Sequence, residues 1–219
     1  MQRQLPTYFS VATAFILIVS FSCAKDDGVD NNSGGGGSLL IPNGCDNVGY
    51  PNWSVSPHLL PYPVGQSYAI GLSHCGGAQH AAGLPDQFAI DIVMDIGTLV
   101  TASRKGIIVF VEDSGGDFEP LNNVVVLRDE DGYFLQYQHL TQNGALVEQG
   151  QIVYAGDPIG YSGASGNARY PHLHFIATNW DYNRPYGSYS YQSLPITFSN
   201  TRANPKSLIQ NEVYEALPY

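Results

Sequence analysis

The chain of 219 residues has few charged residues, few methionines and fewer basic than acidic residues. Only 13% of its residues are charged and only 2 are methionine, whereas 24 glycines, 14 prolines and 15 tyrosines indicate a loop-rich β protein. Lysine and arginine together number 9 against 19 acidic residues, so we expect no nucleic-acid partner. The hydrophobic share of 43% excludes a disordered polymer. We therefore expect one globular, mainly β domain.

The apolar run near the amino terminus, residues 11–21, falls short of the ~20 residues that span a bilayer, so it predicts an export signal. The run ends in Ser20-Phe21-Ser22-Cys23, which resembles a bacterial lipoprotein signal with Cys23 as the lipidated first residue of the mature chain. A cleaved secretory signal with an incidental cysteine is the alternative. Both interpretations export the chain, and the first attaches it to a membrane.

A glycine-rich segment and two further cysteines follow the signal. Residues 28–38 include four consecutive glycines and predict a flexible tether. Cys45 and Cys75 form an even pair in an oxidising compartment, which predicts a disulfide. Two free buried thiols are the alternative.

Segments of period two, separated by glycine, aspartate and asparagine turns, begin near residue 64. We predict strands over residues 87–93, 107–111, 124–128, 133–137 and 173–178. The second of these is apolar throughout, so we expect it to be buried on both faces. Residues 124–137 form a hairpin around Asp129-Glu130-Asp131-Gly132, and residues 207–216 can form a short helix.

The candidate chemistry rests on histidine. His172 and His174 occupy alternate positions of a predicted strand, so they share one face while the residue between them points into the core. Two solvated surface side chains are the alternative for such a pair taken alone. His139 ends the hairpin, and Asp91 projects from its strand on the side opposite the core. A buried carboxylate needs a charged partner, which a metal ion with imidazole neighbours supplies.

An ordered set of motifs places these residues in a wider pattern. The motifs include Phe88-Ala89-Ile90-Asp91-Ile92, Gly106-Ile107-Ile108-Val109, Gln138-His139-Leu140, Ile159-Gly160-Tyr161-Ser162-Gly163 and Pro171-His172-Leu173-His174-Phe175. Over residues 67–178 they resemble the lysostaphin-type (LytM-type) zinc endopeptidases, which cut peptidoglycan cross-bridges. The resemblance implies an all-β fold, an antiparallel sheet folded into an open sandwich with a groove and little helix. The expected organisation is a lipoprotein signal peptide (1–22), a flexible tether (23–44) and a LytM-like zinc peptidase domain (45–219).

The resemblance also implies a Zn²⁺ ion held by an upstream histidine, by Asp91 and by His174. The family's usual first motif is His-x-x-x-Asp, but Gln87 stands four residues before Asp91 here. His80 and His74 are the candidates for the missing ligand. We prefer His80, because a short loop separates it from the strand, as in a variant branch of the family, and because His74 adjoins a cysteine.

The family's two further active-site histidines fall on His139 and His172. The resemblance implies that metal-activated water attacks a peptide carbonyl, that His172 transfers a proton and that His139 hydrogen-bonds the reacting oxygen. Which of the two is the base stays open. We expect a monomer that binds peptidoglycan peptide stems or cross-bridges. We also expect it to be attached to a membrane through the lipid on Cys23. Without the metal, the alternative is a non-catalytic lipoprotein that binds the wall or activates another hydrolase.

A tyrosine-rich segment follows the last predicted strand, over residues 179–191. It can form a stacking surface for sugar or peptide at the wall of the groove. An irregular loop whose aromatic rings cover the sheet is the alternative.

Overall fold

The computed structural model describes residues 45–179 and 192–219. The expected signal peptide, Cys23, the tether and residues 180–191 of the tyrosine-rich segment lie outside the described residues. The strands of the described part are β1 (Ser67–Leu72), β2 (Ile90–Val93), β3 (Leu99–Thr101), β4 (Gly106–Glu112), β5 (Val124–Asp129), β6 (Phe134–Gln138), β7 (Leu140–Ala145), β8 (Ile152–Val153), β9 (Pro158–Ser162), β10 (His172–Thr178) and β11 (Val213–Glu215). The helical structure in these ranges is one short 3₁₀ turn, Trp53–Val55, and no helix there is long and apolar enough to cross a membrane.

The strands form two antiparallel sheets. The larger has the order β11-β1-β2-β10-β6-β5-β4-β8, and the smaller has the order β3-β9-β7. Ile90 and Leu173 of the large sheet and Val100, Leu140 and Ile159 of the small sheet belong to the same buried apolar cluster. Burial of this shared apolar surface holds the two layers together. The predicted all-β, antiparallel fold class is therefore confirmed.

The predicted hairpin is confirmed as β5 and β6. The Oδ1 atom of Asp129 accepts hydrogen bonds from the backbone N–H groups of Asp131 and Tyr133, 3.0 and 2.8 Å away. Gly132 has a φ of 88°, a conformation that glycine adopts without steric cost. These side-chain and backbone preferences are local, which is why the sequence pattern predicts this turn correctly.

Two details of the prediction are wrong. Residues 107–111 lie in β4, but Ile107 is 39% exposed, because this end of β4 pairs with the two-residue edge strand β8. Residues 207–216 form no helix; they contain β11, which pairs with β1 and buries Tyr214 in the core. Pairing with a strand more than 140 residues away outweighs the local helical preference.

The predicted disulfide between Cys45 and Cys75 is confirmed, with Cα atoms 5.4 Å apart. Cys75 lies in the long connection from β1 to β2. The bridge therefore ties the start of the described chain to the loop that also carries His80.

Candidate active site

Three adjacent strands place the candidate side chains on one face of the large sheet. β10 lies between β2 and β6, and the register sets His174 opposite Asp91 on one side and Gln138 on the other. His172 lies two residues earlier, so it shares the face of His174, while Leu173 between them is buried in the core. His139 follows β6 directly and has a φ of 61°, which turns the chain there.

The carboxylate of Asp91 is the centre of this cluster. Its Oδ1 atom lies 2.9 Å from Nδ1 of His174, 3.3 Å from Nε2 of His80 and 3.6 Å from Nε2 of His172. All four side chains are buried. One ligand atom from each of His80, Asp91 and His174 lies within 4.8 Å of the others. The structure thus brings together the three residues that the resemblance suggests as metal ligands.

His80 reaches the cluster from a loop rather than from a strand. Its Nδ1 atom lies 3.3 Å from the backbone oxygen of Ser73, an acceptor for a proton on Nδ1, and its Nε2 atom lies 3.3 Å from Oδ1 of Asp91. The ring of His74 instead stacks on Tyr50 with a centroid distance of 5.6 Å, and its Nδ1 lies 3.3 Å from the tyrosine hydroxyl. Of the two candidates for the upstream ligand, His80 is the one beside Asp91.

The electrostatics of the cluster favour an anionic carboxylate. Burial alone raises the pKa of Asp91, but hydrogen bonds from His174 and His80 outweigh it and hold this pKa below its usual range. Burial likewise lowers the pKa of His174, and here the hydrogen bond to Asp91 outweighs it, so this pKa is raised. A buried anion flanked by imidazoles is a site in which a cation replaces protons.

The donor set fits a zinc ion. Zinc takes imidazole nitrogen and carboxylate oxygen at about 2.0–2.1 Å in tetrahedral geometry, which puts neighbouring donor atoms roughly 3.3 Å apart. The separations of His80 and His174 from Asp91, 3.3 and 2.9 Å, are close to that spacing. The contact of His80 Nδ1 with the backbone oxygen of Ser73 is of the kind that orients metal-binding imidazoles in proteins.

His139 and His172 lie beside this group, with ring centroids 4.8 Å apart. Nδ1 of His139 lies 2.8 Å from the backbone oxygen of Ser165, and Nδ1 of His172 lies 2.8 Å from that of Tyr170. Because a carbonyl oxygen only accepts hydrogen bonds, each ring carries its proton on Nδ1. Both rings therefore offer an unprotonated Nε2.

Burial also keeps these two rings neutral. It lowers the pKa of His139 to about 3 and the pKa of His172 below its ordinary value. One nitrogen from each of His139, His172 and His174 also lies within 4.8 Å of the others, so the two rings adjoin the Asp91 group through His174. The neutral form is the one in which an imidazole can accept a proton.

Two residues of the site had no role in the sequence analysis. Asn122 places its Oδ1 atom 3.1 Å from both the backbone nitrogen and Nδ1 of His139. Tyr170 stacks on His172, and burial together with the charge of Asp91 raises the pKa of Tyr170 to about 12. The proximity of Tyr170 to His172 in the chain was a signal, but neither contact follows from a spacing rule.

The fold and this cluster define an antiparallel β-sandwich with a buried His/Asp group that can hold a metal ion. Residues 86–185 match Peptidase family M23. Over 116 residues the chain is 34% identical to lysostaphin of Staphylococcus simulans. The aligned segment covers 52% of this chain and 19% of lysostaphin. Over 85 residues it is 36% identical to the peptidoglycan DD-endopeptidase ShyA of Vibrio cholerae. That segment covers 39% of this chain and 18% of ShyA. This segment of the chain is thus similar to peptidase family M23, and the resemblance to the lysostaphin type is confirmed.

The extent of these matches is limited to one part of each protein. The chain spans about a fifth of the length of these curated relatives. Among solved structures, the catalytic domain of lysostaphin from S. simulans has 31% identity and a TM-score of 0.38, covering 54% of this chain and 84% of that domain. Asp91, His139, His172 and His174 lie inside the segment that matches the family, whereas His80 lies just before it.

Proposed function

We propose that the protein is a zinc-dependent endopeptidase that cleaves peptide cross-bridges of peptidoglycan. The observation that carries the proposal is the convergence of His80, Asp91 and His174 within 4.8 Å, beside two neutral histidines. The match of residues 86–185 to Peptidase family M23 supports a peptidase. The names of the relatives, a peptidoglycan DD-endopeptidase and lysostaphin, support peptidoglycan as the substrate.

His80, Asp91 and His174 would hold the ion through Nε2, the carboxylate and Nδ1. A zinc ion with these three ligands supplies a Lewis acid that activates water and polarises a peptide carbonyl. The backbone oxygen of Ser73 would hold the proton of His80 on Nδ1, which would free Nε2 for the ion. His174, whose Nδ1 lies 2.9 Å from Asp91, would exchange its hydrogen bond to the carboxylate for a bond to the ion.

The two neighbouring histidines would move the protons. Nε2 of His172 lies 3.6 Å from Oδ1 of Asp91, which supports a role in which His172 would take a proton from the attacking water and return it to the leaving amine. His139 holds its own proton on Nδ1 towards Ser165, so in the resting state its Nε2 accepts. It can donate to the developing oxyanion only after it has itself been protonated.

The test is cleavage by the purified mature protein of peptidoglycan sacculi and of soluble cross-linked muropeptides. Bound zinc is measured by mass spectrometry of the metal. We expect about one zinc ion per chain, release of new amino termini at the cross-bridges, loss of both after chelation and their return with zinc. A protein that binds no zinc from an excess and releases nothing contradicts the proposal. It would instead fit the non-catalytic wall-binding or hydrolase-activating alternative.

We also propose that the chain is an exported lipoprotein, anchored at Cys23 and carried by the tether up to residue 44. The support is the sequence pattern of the first residues alone. Mass spectrometry of the cell-derived protein should find acyl chains on Cys23 as the amino terminus. An unmodified terminus at another residue contradicts the anchor but leaves the endopeptidase proposal untouched.

A further inference from the structure

Tyr170 lies between a proposed catalytic side chain and the solvent. Its ring stacks on that of His172, with centroids 4.6 Å apart and planes 29° apart. Its backbone oxygen accepts the hydrogen bond that fixes the His172 tautomer. The side chain is nevertheless 36% exposed. One face of the ring thus packs against His172, while the exposed part of the side chain can contact a bound molecule.

The hydroxyl end of Tyr170 reaches across two neighbouring strands. In the sheet order β10 is followed by β2 and then β1, and His172 pairs with Val93 on β2. A Cβ atom added to Gly71 on β1 would lie 2.4 Å from the Tyr170 hydroxyl oxygen and 3.3 Å from Cγ2 of Val93. Tyr170 therefore occupies the space that a side chain at position 71 would fill.

Gly71 lies at an irregularity of the sheet next to Asp91. The register between β1 and β2 shifts between Ile70, which pairs with Ile92, and Leu72, which pairs with Asp91. Such bulges redirect side chains and are common beside active sites. Here the absence of a side chain at Gly71 leaves room for the Tyr170 hydroxyl end over β1, beside the proposed metal ligands.

The hydroxyl of Tyr170 forms no hydrogen bond with any of the described residues. A tyrosine hydroxyl beside a polar site usually has a partner, and a phenol is protonated at neutral pH and can donate. An extended peptide chain presents backbone carbonyl oxygens at regular spacing along a groove. A hydroxyl at the rim of the site can bind such an oxygen without requiring any side chain on the substrate.

We propose that Tyr170 is a substrate-binding residue, whose ring forms the groove wall next to His172 and whose hydroxyl donates a hydrogen bond to a backbone carbonyl of the peptide. The inference rests on the proposed endopeptidase function and adds to it a contact that recognises the peptide main chain. Gly71 is the residue that makes room for this wall.

The first test separates the hydroxyl from the ring. Tyr170→Phe keeps the stack on His172 and removes only the donor, so we expect KM to rise roughly 3- to 10-fold while kcat stays within about 2-fold. The assay uses whichever soluble substrate the wild type cleaves, a quenched-fluorescent pentaglycine peptide or a cross-linked muropeptide. Bound zinc should not change. Tyr161→Phe is the matched control, because Tyr161 is also 36% exposed and lies on β9 of the other sheet; it should leave KM unchanged.

The second test addresses the contact with Gly71. Gly71→Ala should displace the ring, raise KM at least as much as Tyr170→Phe and lower the midpoint of thermal unfolding. In a Tyr170→Ala background the same substitution has no ring to displace, so both effects should disappear. This double-mutant comparison includes a stability measurement that needs neither zinc nor substrate.

The outcomes distinguish this inference from the proposal on which it rests. A wild type that cleaves peptidoglycan, together with a Tyr170→Phe variant of unchanged KM, overturns the role of Tyr170 and leaves the endopeptidase in place. Equal effects of Gly71→Ala in the wild type and in the Tyr170→Ala variant contradict the claim that the Tyr170 ring forms the groove wall over Gly71. A wild type that binds no zinc and cleaves neither substrate overturns both.

Discussion

At the scale of single residues, the five polar side chains of the site have unequal roles. His80, Asp91 and His174 are the proposed ligands, so replacing any of them by alanine should remove zinc and activity together. His139→Ala or His172→Ala should keep the zinc and lose roughly 10²-fold or more in turnover, the usual scale for one acid–base or oxyanion group. Metal content and kcat measured on the same preparations test the distinction.

His74→Ala is the control for the ligand assignment. His74 is buried and close in sequence to His80, but its ring contacts Tyr50 rather than Asp91. The substitution should lower stability without lowering the zinc content of the folded protein. If His74→Ala loses zinc and His80→Ala retains it, His74 is the upstream ligand instead of His80. The endopeptidase proposal would still stand.

At the scale of elements, the loop between β1 and β2 supports the site without the pairing of a regular strand. It carries His80, and the Cys45–Cys75 disulfide closes a segment of 30 residues that includes its first part. A bridge across such a segment stabilises a fold by about 3–4 kcal/mol in the chain-entropy account. Cys45→Ser/Cys75→Ser should therefore lower the free energy of unfolding by about that amount.

The same variant should also weaken metal binding, because an unanchored loop must be ordered before His80 can bind. Zinc affinity, measured by competition with a chelating dye, should fall several-fold, and a reducing agent should reproduce this in the wild type but not in the variant. Unchanged affinity in the reduced wild type would mean that the contacts of Ser73 and the strands alone position His80.

Local patterns predicted the parts of this site that lie on regular strands. Alternation placed His172 and His174 on one face, and turn chemistry placed the hairpin that ends at His139, because both depend on residues near in sequence. The contact of His80 with Asp91 depends on the path of an irregular loop, and the contact of Tyr170 with Gly71 crosses two strands. Neither has a periodic signal. The helix predicted over 207–216 failed for the same reason, since β11 exists only by pairing with β1.

At the scale of the whole molecule, the sandwich buries histidines that take no part in the site. His58 and His74 both lie outside the Asp91 cluster, and burial lowers the pKa of each to about 3. A neutral imidazole is inexpensive to bury and a charged one is not. Protonation of these two residues should therefore destabilise the folded protein in acid, apart from any effect on the proposed metal site.

His58 makes the stability of the fold depend on pH. Its pKa is about 3 in the folded protein against 6.5 for the unfolded chain, so below pH 6.5 the unfolded chain binds a proton that the folded protein excludes. The stability that His58 contributes is present above pH 6.5 and is lost as the pH falls towards 3, by about 2 kcal/mol between pH 6.5 and 5. His58→Gln should remove this loss, so that urea unfolding with a chelator present shows a flatter dependence on pH than the wild type. Val55→Ala, at a side chain that is 75% exposed, should keep the wild-type slope. Parallel slopes for His58→Gln and the wild type would mean that His58 becomes protonated in the folded protein, through opening of the segment around it rather than through global unfolding.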